Sequence, residues 1–300
     1  MTSNTFSRII FVAMADELTK FAWRVPSTGH RWIDGQSIGG DSSSAQRFLV
    51  EEAQPGELAP ADEYNPLHEP SHSALFKTFA ETESSEEGIQ HFADRFGRLG
   101  GSAKESVEVQ GGTGRFSEGE PLHIWRSEIL AMRTLIRLWD LVENRDQAGL
   151  REFIEWKEDA AFLRLPSTAG RGHARVSAAI KESPQLKRGE TLTAAVYFLQ
   201  DLVNDKLAHH GVRARLLWDA KRAEYGLRLV PESLIGCLWL QLAKAMEKDR
   251  NYRRCGNCEA WFELGGSRGA RADKKFCSPS CKATAHRRKH EEACRRSRGF

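Results

Sequence analysis

Two short stretches near the C-terminus, RRCGNCEAWF (253–262) and KKFCSPSCKA (274–283), decide how the last fifth of this chain folds. They place Cys255, Cys258, Cys277 and Cys281 in the spacing C-x2-C-x18-C-x3-C. Two short-range thiol pairs satisfy tetrahedral zinc at a low loop-closure cost. Gly256 and Asn257 suit the tight turn of a knuckle. Ser278 is a good N-cap and Pro279 fits the first helical position, so the second pair is expected to straddle a helix start. A knuckle plus a helix-borne pair predicts a treble-clef-like module at 250–296 holding one Zn2+. Four thiolates close the coordination shell, which makes the zinc structural. His286 or His290, on the same predicted helix, is an alternative to one cysteine. Cys294 reads as a spare thiol and Cys237, on an apolar helix, as core.

All six cysteines lie after residue 236. A 300-residue chain buries enough surface to need no disulfide framework, so the pairs read as metal ligands in a reducing, cytoplasmic compartment. A short apolar run after Arg8 (Ile9–Ala15) ending in Ala-x-Ala has the look of an export signal, but it is of minimal length and reads instead as a buried strand. Composition is that of a globular chain, with 40% hydrophobic and 28% charged residues and a mean hydropathy of −0.52. This argues against wholesale disorder and against a polytopic membrane protein.

Charge follows the cysteines. Residues 250–300 carry 14 Lys and Arg against five Asp and Glu, whereas the first 249 carry 30 against 36. A basic tail on a mildly acidic body points to a polyanion partner. Lys274, Lys275, Lys282, Arg287, Arg288 and Lys289 are the candidate phosphate contacts. Lys282, His286 and Lys289 share one helical face, while Arg287 and Arg288 point elsewhere, a scatter better suited to phosphates than to base edges. The partner expected is nucleic acid, DNA ahead of RNA, with no membrane. The body is expected to sense a small molecule or a protein.

Residues 1–245 read as a mainly helical α+β body with short strands and hairpins. A strand is expected at 6–13, a hairpin across Pro26–Gly29, and loops at 35–45, 53–63 and 102–120. Helices are expected at Ser71–Glu81, from the capping box Ser84–Glu87 to a stop at Gly100-Gly101, at Pro121–Asn144, at 146–160, at Thr191–Leu207 and from Pro231 to Met246. Val212–Trp218 alternates like a strand paired with Leu227 and Leu229.

The tail resembles the CGNR-type zinc finger of bacterial proteins. The resemblance is carried by Arg254-Cys255, Cys258, Phe262, Phe276-Cys277-Ser278, Cys281 and the basic helix after them. Those proteins pair the finger with an N-terminal ABATE-type domain and are regarded as stress-related transcription regulators. Leu202–Leu207 and the hairpin at 212–230 look like the region preceding that finger. The Gly-Asn-Arg that follows the last cysteine in the family is absent here, where Lys282-Ala283-Thr284 stands. The resemblance implies zinc binding first and DNA binding second.

An enzyme is not expected, and local motifs offer little toward one. His68-Glu69-Pro70-Ser71-His72 spells H-E-x-x-H, but Pro70 cannot sit inside the continuous helix that motif needs. Gly111–Arg115 lacks the lysine of a phosphate loop, and His209-His210 reads as a complement to a helix dipole. Two other classes stay open. One is a zinc-stapled protein–protein adaptor. The other is an enzyme in the body, which a cleft with converging polar groups and perturbed carboxylates would favour.

Overall fold

The computed structural model describes residues 21–38, 46–52, 60–67, 72–109, 116–166, 173–180, 183, 185–219, 223–247, 251–264 and 273–297. The strand expected at 6–13 and the export-like run lie outside these residues.

The chain is α+β. Four strands, β2 (His30–Ser37), β3 (Gln46–Glu51), β5 (Glu105–Val109) and β6 (Phe116–Pro121), close an antiparallel barrel in the order β2-β3-β6-β5. Its interior is small, filled by Ile33, Phe48, Val50 and Val107. There is no room for another side chain: a Cβ on Gly35 would lie 2.4 Å from Val107 Cγ1 and 2.9 Å from the Glu108 carbonyl oxygen.

β1 (Trp23–Pro26) does not pair with β2 across the Pro26–Gly29 turn. It pairs with β4 (Ala61–Tyr64). The turn forms, with Gly29 N–H on the Pro26 carbonyl at 3.2 Å, but the Ser27 N–H goes to the Pro60 carbonyl, so the chain leaves one sheet and enters another.

The helices build the main core. α1 is Leu75–Glu81, α2 Glu86–Phe96, α3 Leu122–Glu143, α4 Gln147–Phe153, α5 Thr191–His209 and α6 Leu234–Glu247. Ser85 caps α2 by accepting from Gly88 N–H. Gly97, in the left-handed region at φ 87°, ends it three residues before the expected stop. Of the expected apolar stripe along α3, Trp125, Ile129, Met132 and Trp139 are buried and Ile136 and Val142 half-buried against the same core, and Leu135 and Leu138 join them. α6 is buried almost all round from Leu234 to Leu242. Its one buried amide, Gln241, accepts from Phe76 N–H and donates to the Pro66 and His72 carbonyls, tying the segment before α1 to the core.

The expected helix at 146–160 stops at Phe153. A three-stranded antiparallel sheet follows, β7 (Ile154–Lys157), β8 (Ala160–Pro166) and β9 (His173–Ala179). β10 (Arg213–Asp219) and β11 (Glu224–Val230) form the expected ribbon, with Ala214 opposite Leu229 and Leu216 opposite Leu227. No helix among the described residues is long and apolar enough to cross a membrane.

Candidate metal centre

The last elements are β12 (Asn251–Arg254), β13 (Trp261–Leu264) and α7 (Pro279–Ser297). β12 and β13 pair antiparallel, Arg254 opposite Trp261, and the knuckle Cys255–Cys258 turns between them. Cys255 N–H bonds the Ala260 carbonyl at 2.9 Å and Glu259 N–H the Cys255 carbonyl at 3.0 Å. The left-handed residue that lets the turn close is Glu259, at φ 58°, and not Gly256 or Asn257. Gly256 N–H bonds the Lys275 carbonyl at 3.0 Å, fastening the second cysteine pair to the first. The Ser278 hydroxyl accepts from Cys281 N–H at 3.2 Å, so it caps α7 as expected, with Pro279 next.

This geometry brings the sulfurs of Cys255, Cys258, Cys277 and Cys281 within 4.8 Å of one another. Cys258 and Cys277 sulfurs lie 3.6 Å apart, and those of Cys277 and Cys281 3.5 Å. A tetrahedral ion with four 2.3 Å metal–sulfur bonds needs sulfurs about 3.8 Å apart. The described cysteines are all free thiols, so the cluster is held by packing and not by a disulfide. Cys255 and Cys277 are buried with Phe262, while Cys258 and Cys281 are half-buried.

The thiols are divided electrostatically. Burial opposes ionisation of Cys255, yet backbone N–H groups of Cys258, Cys277 and Asn257 draw it down to about 6. The Ser278 hydroxyl draws Cys281 down as well. Burial and the neighbouring sulfurs push Cys277 far up, and burial raises Cys258. Four clustered thiols cannot all ionise without a cation between them. The donor set could hold one metal ion, and soft sulfur in this geometry fits zinc.

The other residues singled out from sequence divide into groups. Lys275, Lys282, Arg287, Arg288 and Lys289 are exposed, and the four on α7 make no ion pair among the described residues. Lys274 is half-buried, its ammonium 5.3 Å from the Phe262 ring centroid. His286 is exposed and outside the sulfur cluster. The side chains of His290 and Cys294 lie outside those described. Cys237 is fully buried, its thiol pushed far up by burial.

Sequence reasoning missed how this segment seats on the helices. Arg254 pairs with Glu81 of α1 at 2.7 Å, and Trp261 Nε1 donates to the same carboxylate at 3.0 Å. Lys77, one turn earlier, sits 5.0 Å from the Trp261 ring and 5.4 Å from Tyr252. Glu263 N–H bonds the Ser73 hydroxyl at 3.2 Å. Beside these contacts, a cavity of about 240 Å3 lies between the cysteines and Leu75, Thr78, Arg95 and Phe96. The tryptophan three residues after Cys258 was the available signal, since a charged helix face and an aromatic strand need each other to be buried.

Compared with protein-family models, with curated proteins and with solved structures, the chain has no match.

Proposed function

We propose that the chain is a zinc protein that binds nucleic acid, as a CGNR-type transcription regulator would, with its finger at 250–296 and its body at 1–245. Cys255, Cys258, Cys277 and Cys281 hold one structural Zn2+. The observation that carries the reading is the position of α7. The sulfur cluster sits at its start, and Lys282, Arg287, Arg288 and Lys289 stand exposed along it without acidic partners among the described residues. The metal fixes the helix, and the helix offers its charges to phosphates. Lys274, packed on Phe262, belongs to the framework more than to the phosphate set.

Each phosphate neutralised steepens the salt dependence by about 0.9 in log K against log salt. Fluorescence anisotropy of the zinc-loaded protein on random duplex DNA and RNA tests this. Saturable binding with a slope near −3.6 is expected if the four α7 cations each meet one phosphate. A Lys282/Arg287/Arg288/Lys289→Ala variant keeps its zinc and loses the binding. Unchanged binding by that variant sinks the assignment.

A protein partner is supported at a different place. Leu216, Tyr225, Leu227 and Leu229 stand exposed on the β10–β11 ribbon, which belongs to the body and not to the tail.

A further inference from the structure

The body holds a second polar cluster that the zinc-finger reading does not use. We propose that Ser102, His210 and Glu128 form a nucleophilic acyl-transfer centre acting on carboxylic esters.

The nucleophile sits on a fixed turn. Gly100 and Gly101 adopt left-handed backbone, at φ 72° and 58°, and lead into a single 3-10 turn at Gly101–Ala103. The buried Glu120 carboxylate anchors the approach by accepting from Leu99 and Gly100 N–H at 3.0 and 2.6 Å. Ile235 N–H bonds the Leu99 carbonyl at 3.0 Å, joining the turn to α6. Ser102 emerges exposed, with its Oγ 3.0 Å from His210 Nδ1.

The base is buried and oriented. His210 caps α5 and is 3% exposed, so it does not face solvent at the helix end as its neighbour His209 does. Its Nε2 lies 3.3 Å from Glu128 Oε2. Glu128 projects from α3 and is fixed by two donors, Lys206 Nζ at 2.5 Å and Trp239 Nε1 at 3.0 Å. Hydroxyl and imidazole are thus hydrogen-bonded, and the carboxylate stands 3.3 Å from the imidazole's far nitrogen, the three groups coming from distant parts of the chain.

The chemistry follows from the carboxylate. An ionised Glu128 only accepts, so it favours the tautomer with hydrogen on Nε2 and leaves the Nδ1 lone pair toward Ser102. Either imidazole nitrogen can act as base when the other is held by an acid, the logic of the serine–histidine–acid triad. Ser102 Oγ attacks the acyl carbon while its proton moves to Nδ1. The carbonyl re-forms as the carbon–oxygen bond to the alcohol breaks, and Nδ1 returns the proton to that alcohol. Water then repeats the sequence on the acyl-serine, releasing the acid and the free hydroxyl. The balance is ester plus water to acid plus alcohol, with no redox change.

The test uses the full, zinc-loaded chain with a biotinylated fluorophosphonate and with p-nitrophenyl acetate. One phosphonyl adduct, mapped to Ser102 by mass spectrometry, is expected, together with ester hydrolysis above buffer. Ser102 is exposed, so Ser102→Ala leaves the fold intact and removes both signals. Glu128→Gln, with its folded fraction checked by circular dichroism, slows labelling at least about 100-fold. It also shifts the pH midpoint of labelling, because the Glu128 carboxylate beside the imidazole is gone while Lys206 and the His209 ring remain near it. An unmodified Ser102, equal hydrolysis by Ser102→Ala, or a Glu128→Gln variant with unchanged rate and midpoint would each overturn the assignment. None of these outcomes bears on DNA binding by α7.

Discussion

Glu128→Gln offers the sharpest quantitative test of how the body is held together. The carboxylate is nearly buried between α3, α5 and α6, and takes Lys206 and Trp239 as donors with His210 alongside. Burial alone would raise its pKa. Instead the His210 contact and the Lys206 charge hold it at about 2, against an ordinary 4.5. The folded value lies below the unfolded one, so the ionised carboxylate stabilises the native state. That contribution is complete above pH 4.5 and is lost as pH falls through 2. At 1.36 kcal/mol per pKa unit it amounts to about 3 kcal/mol at pH 7 and about 1.4 kcal/mol at pH 3. Glutamine keeps an oxygen for Trp239 but presents no charge to Lys206. Urea titration of both proteins, followed by far-ultraviolet circular dichroism, is expected to show a stability gap of about 3 kcal/mol at pH 7 that halves by pH 3. A gap under 1 kcal/mol at pH 7, or one that does not change with pH, would refute the electrostatic reasoning and reduce the cluster to packing.

Cys277→Ser removes one of the four sulfurs, and a structural zinc held there would contribute on the order of 10 kcal/mol, so amide protection over residues 277–297 should collapse first while α3 and α6 stay protected. Hydrogen exchange by mass spectrometry reads this, and a fully protected variant with one tight zinc would contradict the ligand set. Glu81→Ala deletes the partner of both Arg254 and Trp261, and should loosen β12 and β13 by about 1 kcal/mol of local opening energy without changing zinc content. Gly35→Ala forces a methyl into Val107 and the Glu108 carbonyl, and should lower stability by about 2 kcal/mol in a thermal melt. Gln241→Leu strips partners from Phe76 N–H and from the Pro66 and His72 carbonyls, with an expected loss of about 3 kcal/mol.

What was legible in the sequence was what is local. The thiol spacing, the Ser278 cap and the long stripe of α3 each depend on residues a few positions apart, and each is present. The β5–β6 pair was missed because a four-stranded barrel asks so little of its strands. Val107 fills the barrel core, and the Val107-Glu108-Val109 alternation is too short to separate a strand from the Gly-rich stretch after it. The Pro26–Gly29 turn forms, but its chemistry fixes only a reversal and leaves the pairing of β1 to a distant strand. Lys274 looked like its basic neighbours until Phe262 came beside it. Nothing local to His209-His210 marks His210 as buried, because the groups beside it, Glu128 and Ser102, lie far away in the chain.

The seating of the C-terminal segment bears on what a metal could do here. α1 is used twice. Leu75, Phe76, Phe79 and Ala80 fill the body core, while Lys77 and Glu81 meet Tyr252, Arg254 and Trp261. These contacts come from β12 and β13 and involve no sulfur. α7, by contrast, is fastened through Cys277, Ser278 and Cys281, at the side of the cavity facing Arg95 and Phe96. The two attachments are separable in energy: the ribbon is held to the body by ion pairs and rings, the helix by the cluster. Loss of the ion therefore releases the helix and its cations first, while the ribbon stays docked on α1.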